Sequence, residues 1–92
     1  MSEKTAPALA KLDELLPMLR ALSGTESAQL VESAEALRRA VAAFHMEAIR
    51  FRMYSVDRLL IRQDDAACSR IFGEVRQALE SAGFHTRSHA AP

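Results

Sequence analysis

Arg38, His45 and Arg52 are spaced by seven residues, an interval that returns to nearly the same face of a continuous α-helix. Two guanidinium forks flanking an imidazole would grip a phosphorylated or carboxylated ligand, so these three residues form the candidate small-ligand or enzymatic site, read as lying between two chains. The bland reading of the same stripe is a solvated helix face. A second set, Arg50, Arg52, Arg58 and Arg62, is the candidate nucleic-acid surface, because a helix of that charge could lie along a phosphate backbone. Against it, twelve basic side chains cancel twelve acidic ones over the whole chain and Tyr54 is the only tyrosine. Neither a global field nor a stacking platform is available.

Other chemistry is harder to assemble. Bundle metal centres use Glu-x-x-His, a spacing absent from this sequence, and His45 and Glu47 point to different helix faces. His85 and His89 have the four-residue spacing of a helical metal clip but sit in a polar terminal stretch, so no metal is expected. Met46 and Met53 beside His45 read as core filling rather than haem ligands, and no cofactor is expected. Cys68, the single cysteine, excludes an internal disulfide and has no histidine or lysine close in sequence to activate it. Asp13 with Glu14, and Asp64 with Asp65, suit helix starts and exposed faces. No catalytic residue is assigned, and a non-enzymatic protein is favoured.

The elements that must position these groups are helical throughout, and the fold class expected is all-α. Leu9, Leu12, Leu16 and Leu19 recur at helical spacing, giving a first helix over about 6–22, with Thr5 as cap, Pro7 in the first turn and a kink expected at Pro17. Ser23-Gly24-Thr25-Glu26 reads as a break followed by a capping box. From Glu26 to Gln63 there is no glycine or proline, so the pattern predicts one helix over 26–63, about 55 Å long. Asp64 and Asp65 cap a third helix over 65–82 carrying Cys68, Ile71, Phe72, Val75 and Leu79, which Gly83 ends. Residues 1–83 form one domain in this reading, and 84–92 a flexible tail.

The long helix has a seam. Leu30, Ala34, Leu37, Val41, Phe44, Ala48, Phe51 and Ser55 follow at alternating steps of four and three, and a second strip runs through Ile49, Val56, Leu59 and Leu60. The seam is too extensive for two short flanking helices to hide. Glu26, Glu32 and Glu35 mark one end and the arginines the other, so two copies would pair antiparallel, crossing near Phe44. The expectation is therefore an antiparallel helical-bundle homodimer.

The amino terminus lacks a basic region followed by an apolar stretch, and no apolar run reaches membrane-spanning length, so a cytoplasmic location is expected. Ten of the twelve basic residues are arginine, a usage associated with GC-rich bacterial genomes. The function expected is an interaction module, a small regulator, adaptor or assembly factor that binds itself and another protein. A ligand-binding dimer using Arg38, His45 and Arg52 is the first alternative, and a nucleic-acid-associated regulator is the second.

Overall fold

A computed structural model describes residues 3–84. After a 3-10 turn over Glu3–Thr5 come α1 (Ala6–Arg20), α2 (Ser27–Ala42), α3 (Met46–Gln63) and α4 (Ala66–Ser81). All the secondary structure among the described residues is helical. The all-α expectation holds, but the described residues form four α-helices where three were expected. The long central helix is two helices that fold back on each other.

The break lies at residues 43–45. The backbone of Phe44 is left-handed, with φ at 58°. Its N–H donates to the Val41 carbonyl, and the next N–H, of His45, donates to Ala40. These two bonds make a Schellman stop. His45 then opens α3 as its N-cap, its Nδ1 accepting from the Ala48 N–H at 3.4 Å. The end of α4 repeats the motif, with Gly83 left-handed (φ 99°), its N–H donating to Glu80 and that of Phe84 donating to Leu79. Glycine adopts this conformation freely, whereas an L side chain such as phenylalanine is strained by about 1–2 kcal/mol.

Folding back outweighs that strain. It buries Ile49, Met53, Val56, Leu59 and Leu60 of α3 beside Leu30, Ala34, Leu37 and Val41 of α2. Each large side chain removed from water contributes about 1.5–3 kcal/mol. Phe44 recovers part of the cost by packing edge-on against the ring of Phe84, centroids 5.2 Å apart. Phe84, assigned to the tail by sequence, is only 4% exposed. Residues 85–92, including His85 and His89, lie outside the described residues.

Ion pairs report the topology. Asp13 meets Arg38 and Arg20 meets Glu35, so α1 and α2 run antiparallel. Arg62 at the end of α3 reaches Glu26 at the start of α2 at 2.6 Å, so α2 and α3 are antiparallel too. This is the acid-to-arginine pairing expected between two chains, made here within one. Lys11 and Glu74, 2.8 Å apart, join α1 to α4. α1 packs between α2 and α4, α2 packs on α3, and the α3–α4 contact is the thinnest of the four.

The remaining terminal expectations fare unevenly. α1 continues through Pro17 to Arg20, with Pro7 in its first turn, and Thr5 makes no side-chain cap bond. The capping box before α2 does not form: Glu26 is the N-cap without a side-chain cap bond, its carboxylate being engaged by Arg62. Asp64 turns left-handed to end α3. Asp65 caps α4 as expected, accepting from the Cys68 N–H at 2.9 Å.

Charge and burial give two pH effects of known sign. The Arg38 hydrogen bond lowers Asp13, the Cys68 N–H lowers Asp65 and the Lys11 hydrogen bond lowers Glu74, each below its ordinary carboxylate value. The stability they add is present above the unfolded pKa values and is lost as pH falls through the folded ones. Acid unfolding monitored by circular dichroism should therefore shift to higher pH in Asp13→Asn and Asp65→Asn. Burial, aided by Asp65, pushes the Cys68 thiol up from 9.0 to about 11. The unfolded chain ionises first, so stability should fall as pH rises between those values. At pH 8 a disulfide reagent should label Cys68 only as fast as the domain opens.

Candidate functional site

The bend decides which side of α3 meets the core. In α2 the predicted seam is the core: Leu30, Ala34, Leu37 and Val41 are fully buried by their own chain. In α3 the two strips exchange roles. Ile49, Val56, Leu59 and Leu60 turn inward, while Phe44, at 49% exposure, and Phe51, at 59%, face solvent. Ala48 and Ser55 are half-buried. A left-handed residue re-phases the helix after it, so a periodic line drawn across residue 44 does not stay on one face.

The outer side of α3 thereby becomes the unusual surface of the molecule. Every large apolar side chain left exposed among the described residues lies between 44 and 61: Phe44, Met46, Phe51, Tyr54 and Ile61. On α3, Phe51, Tyr54, Arg58 and Ile61 succeed one another at steps of three, four and three, and so form one line along the helix. The guanidinium of Arg52 lies 5.0 Å from the Phe51 ring centre and that of Arg58 lies 5.6 Å from that of Tyr54. Arg58 also reaches the Tyr54 hydroxyl at the outer limit of a hydrogen bond, 3.5 Å.

Beside this line runs an open groove of about 480 Å³, where Gln29 and Ser33 of α2 face Phe51, Tyr54, Arg58 and Arg62 of α3. Arginines border it and no carboxylate does. Arg62 is tied to Glu26, whereas Arg50, Arg52 and Arg58 make no ion pair among the described residues. Of the acids on α3, Asp57 turns to Arg76 of α4 at 3.8 Å, leaving Glu47 in the first turn. The result is an aromatic and cationic face with little negative charge of its own.

No protein-family model matches the chain, and no curated protein or solved structure is significantly similar to it.

The candidate anion residues take separate roles. Arg38 donates from Nε to Asp13 Oδ1 at 2.6 Å and from Nη2 to Oδ2 at 3.2 Å, so its fork is occupied by α1. His45 caps α3. Arg52 borders the groove, which neither Arg38 nor His45 lines. The seven-residue spacing that aligned them on a straight helix loses its meaning across the bend. Of the four arginines read as a nucleic-acid surface, three border the groove, and two of those are stacked on rings.

Among the described residues no three histidine, cysteine, aspartate or glutamate side chains come together as metal ligands. No helix there is long and apolar enough to cross a membrane. Ile61, the most exposed large apolar residue at 69%, carries no signal of its own in the sequence. The available clue is that α3 is apolar on more faces than one core contact uses.

Proposed function

We propose that this protein is a binding module that presents the outer face of α3 and the adjoining groove to another protein. One observation carries the reading: among the described residues the exposed large apolar side chains are confined to the segment from 44 to 61, while those of α1, α2 and α4 are buried or partly buried. Scattered exposed hydrophobes are ordinary, but a contiguous set ringed by polar groups marks an interaction surface. Its composition also fits, since aromatic residues and arginine dominate the energetics of protein interfaces.

Charge favours a particular occupant. Arg50, Arg52 and Arg58 meet no carboxylate among the described residues, so a helix with an apolar stripe flanked by aspartate or glutamate complements the line Phe51, Tyr54, Arg58 and Ile61. A second copy docking through the same face would set these arginines against their equivalents. Twelve basic side chains cancel twelve acidic ones over the whole chain, so no global field draws a nucleic acid to this face, and a protein partner suits it better.

The test is site-specific photocrosslinking in the source cells. A benzophenone amino acid at position 54 or 61 is expected to capture one discrete partner, and one at the exposed Ala10 of α1 none. Identical adducts from all three positions, or none from 54 and 61, would remove the basis for the proposal.

A further inference from the structure

We propose that two copies of this chain exchange halves through the bend at residues 43–45, forming a dimer in which α2 and α3 of each copy join into one straight helix. The bend divides the chain into two halves, α1–α2 and α3–α4, the second being only thinly packed within itself. Packing between these halves is extensive: α1 lies on α4 and α2 lies on α3. The ion pairs Lys11–Glu74 and Glu26–Arg62 cross from one half to the other. If the bend opened, the same surfaces would meet again with the halves supplied by different chains. Nothing in the core would need to be rebuilt, because a swapped interface repeats contacts the monomer already makes.

The bend itself is the part that differs, and it is poorly suited to staying closed. It is short and contains neither glycine nor proline, and Phe44 occupies the left-handed position that Gly83 occupies in the matching turn after α4. Straightening residues 43–45 into helix releases that strain and makes a continuous helix from 27 to 63. Short hinges under strain favour exchange. The alternation of Leu30, Ala34, Leu37, Val41, Phe44, Ala48, Phe51 and Ser55 runs through the hinge without interruption, so the sequence is compatible with helix on both sides of it and across it. This inference is independent of the docking face on α3.

Two measurements test it. In a Cys68→Ser background, cysteines replacing Glu26 and Arg62 are treated with a short bis-maleimide after monomer and dimer have been separated by size exclusion. The monomer fraction should yield one-chain product, and the dimer fraction, enriched by refolding at high concentration, should yield two-chain product. Single-chain product from the dimer fraction would mean that copies touch side by side, and would overturn the exchange.

The second measurement compares Phe44→Ala with Phe44→Gly by sedimentation equilibrium. Both remove the ring that packs on Phe84, and they differ in backbone preference alone. Alanine favours the straight helix and glycine the left-handed turn, so the dimer of Phe44→Ala should be at least about tenfold tighter. Equal association of the two variants, or the absence of dimer in both, would overturn the proposal.

Discussion

Leu37→Ala should destabilise the domain by about 2–5 kcal/mol, whereas Phe51→Ala should change stability by no more than about 0.5 kcal/mol. Both residues belong to the same large set in the heptad pattern, fourteen positions apart. On a rod packed through its heptad seam against a second copy they would be equivalent, and their truncations would cost alike. In the folded chain Leu37 is fully buried and Phe51 is 59% exposed. Truncating the leucine leaves a cavity among close-packed neighbours, and truncating the phenylalanine removes a ring that water already reaches. Urea unfolding of the two variants at equal protein concentration measures the contrast. Equal losses would mean that Phe51 is covered in solution, and that the single-chain bundle is not the state being measured.

The second large effect concerns the α3 face. Once a partner has been captured through position 54 or 61, Tyr54→Ala and Arg58→Ala should each weaken its binding by about 2 kcal/mol or more, close to thirtyfold. Unfolding midpoints should stay near the wild-type value, because both side chains stand outside the core. The reason for expecting so much from single changes is that tyrosine and arginine are stacked together here. Tyr54→Ala strips area from the apolar line and frees the Arg58 guanidinium stacked on it, whereas Arg58→Ala removes that guanidinium itself. Arg50→Glu should act differently. It lies beside the line and makes no ion pair among the described residues, so its reversal should slow association and change the salt dependence more than the rate of dissociation. Titration by fluorescence anisotropy, with rates from stopped flow, separates these behaviours. If Tyr54→Ala and Arg58→Ala bind the partner as tightly as wild type, the docking face lies elsewhere.

Much of the architecture was legible in the order of residues. The helical class, the first helix with its leucine stripe, the glycine break near position 24, the Asp65 cap and the last helix with its buried face all follow from local periodicity and capping. These signals are local, and the folded chain honours them. The antiparallel pairing of an acidic end with an arginine-rich end was expected between two chains; within one chain Glu26 meets Arg62, while Glu35 turns instead to Arg20 of α1. Charge pattern specifies which segments attract each other, and it is silent on whether they belong to one molecule or two.

What the sequence could not supply was the stop in the middle. Helix ends are read from glycine, proline and short polar residues, and at Phe44 and His45 a left-handed phenylalanine and a capping histidine take those places without announcing themselves. The turn exists because the non-local burial of Ile49, Met53, Val56 and Leu60 outweighs the backbone strain of one residue, a comparison invisible to any window along the chain. Once made, that turn rotated the second half of the pattern. It drew the secondary strip into the core, separated Arg38 from Arg52, and left Phe51, Tyr54, Arg58 and Ile61 facing water. The sequence by itself determined which segments are helices and which charges attract. Tertiary structure alone decided which side of α3 is left for another molecule, because the direction of a helix face depends on the φ angle of the residue that precedes it.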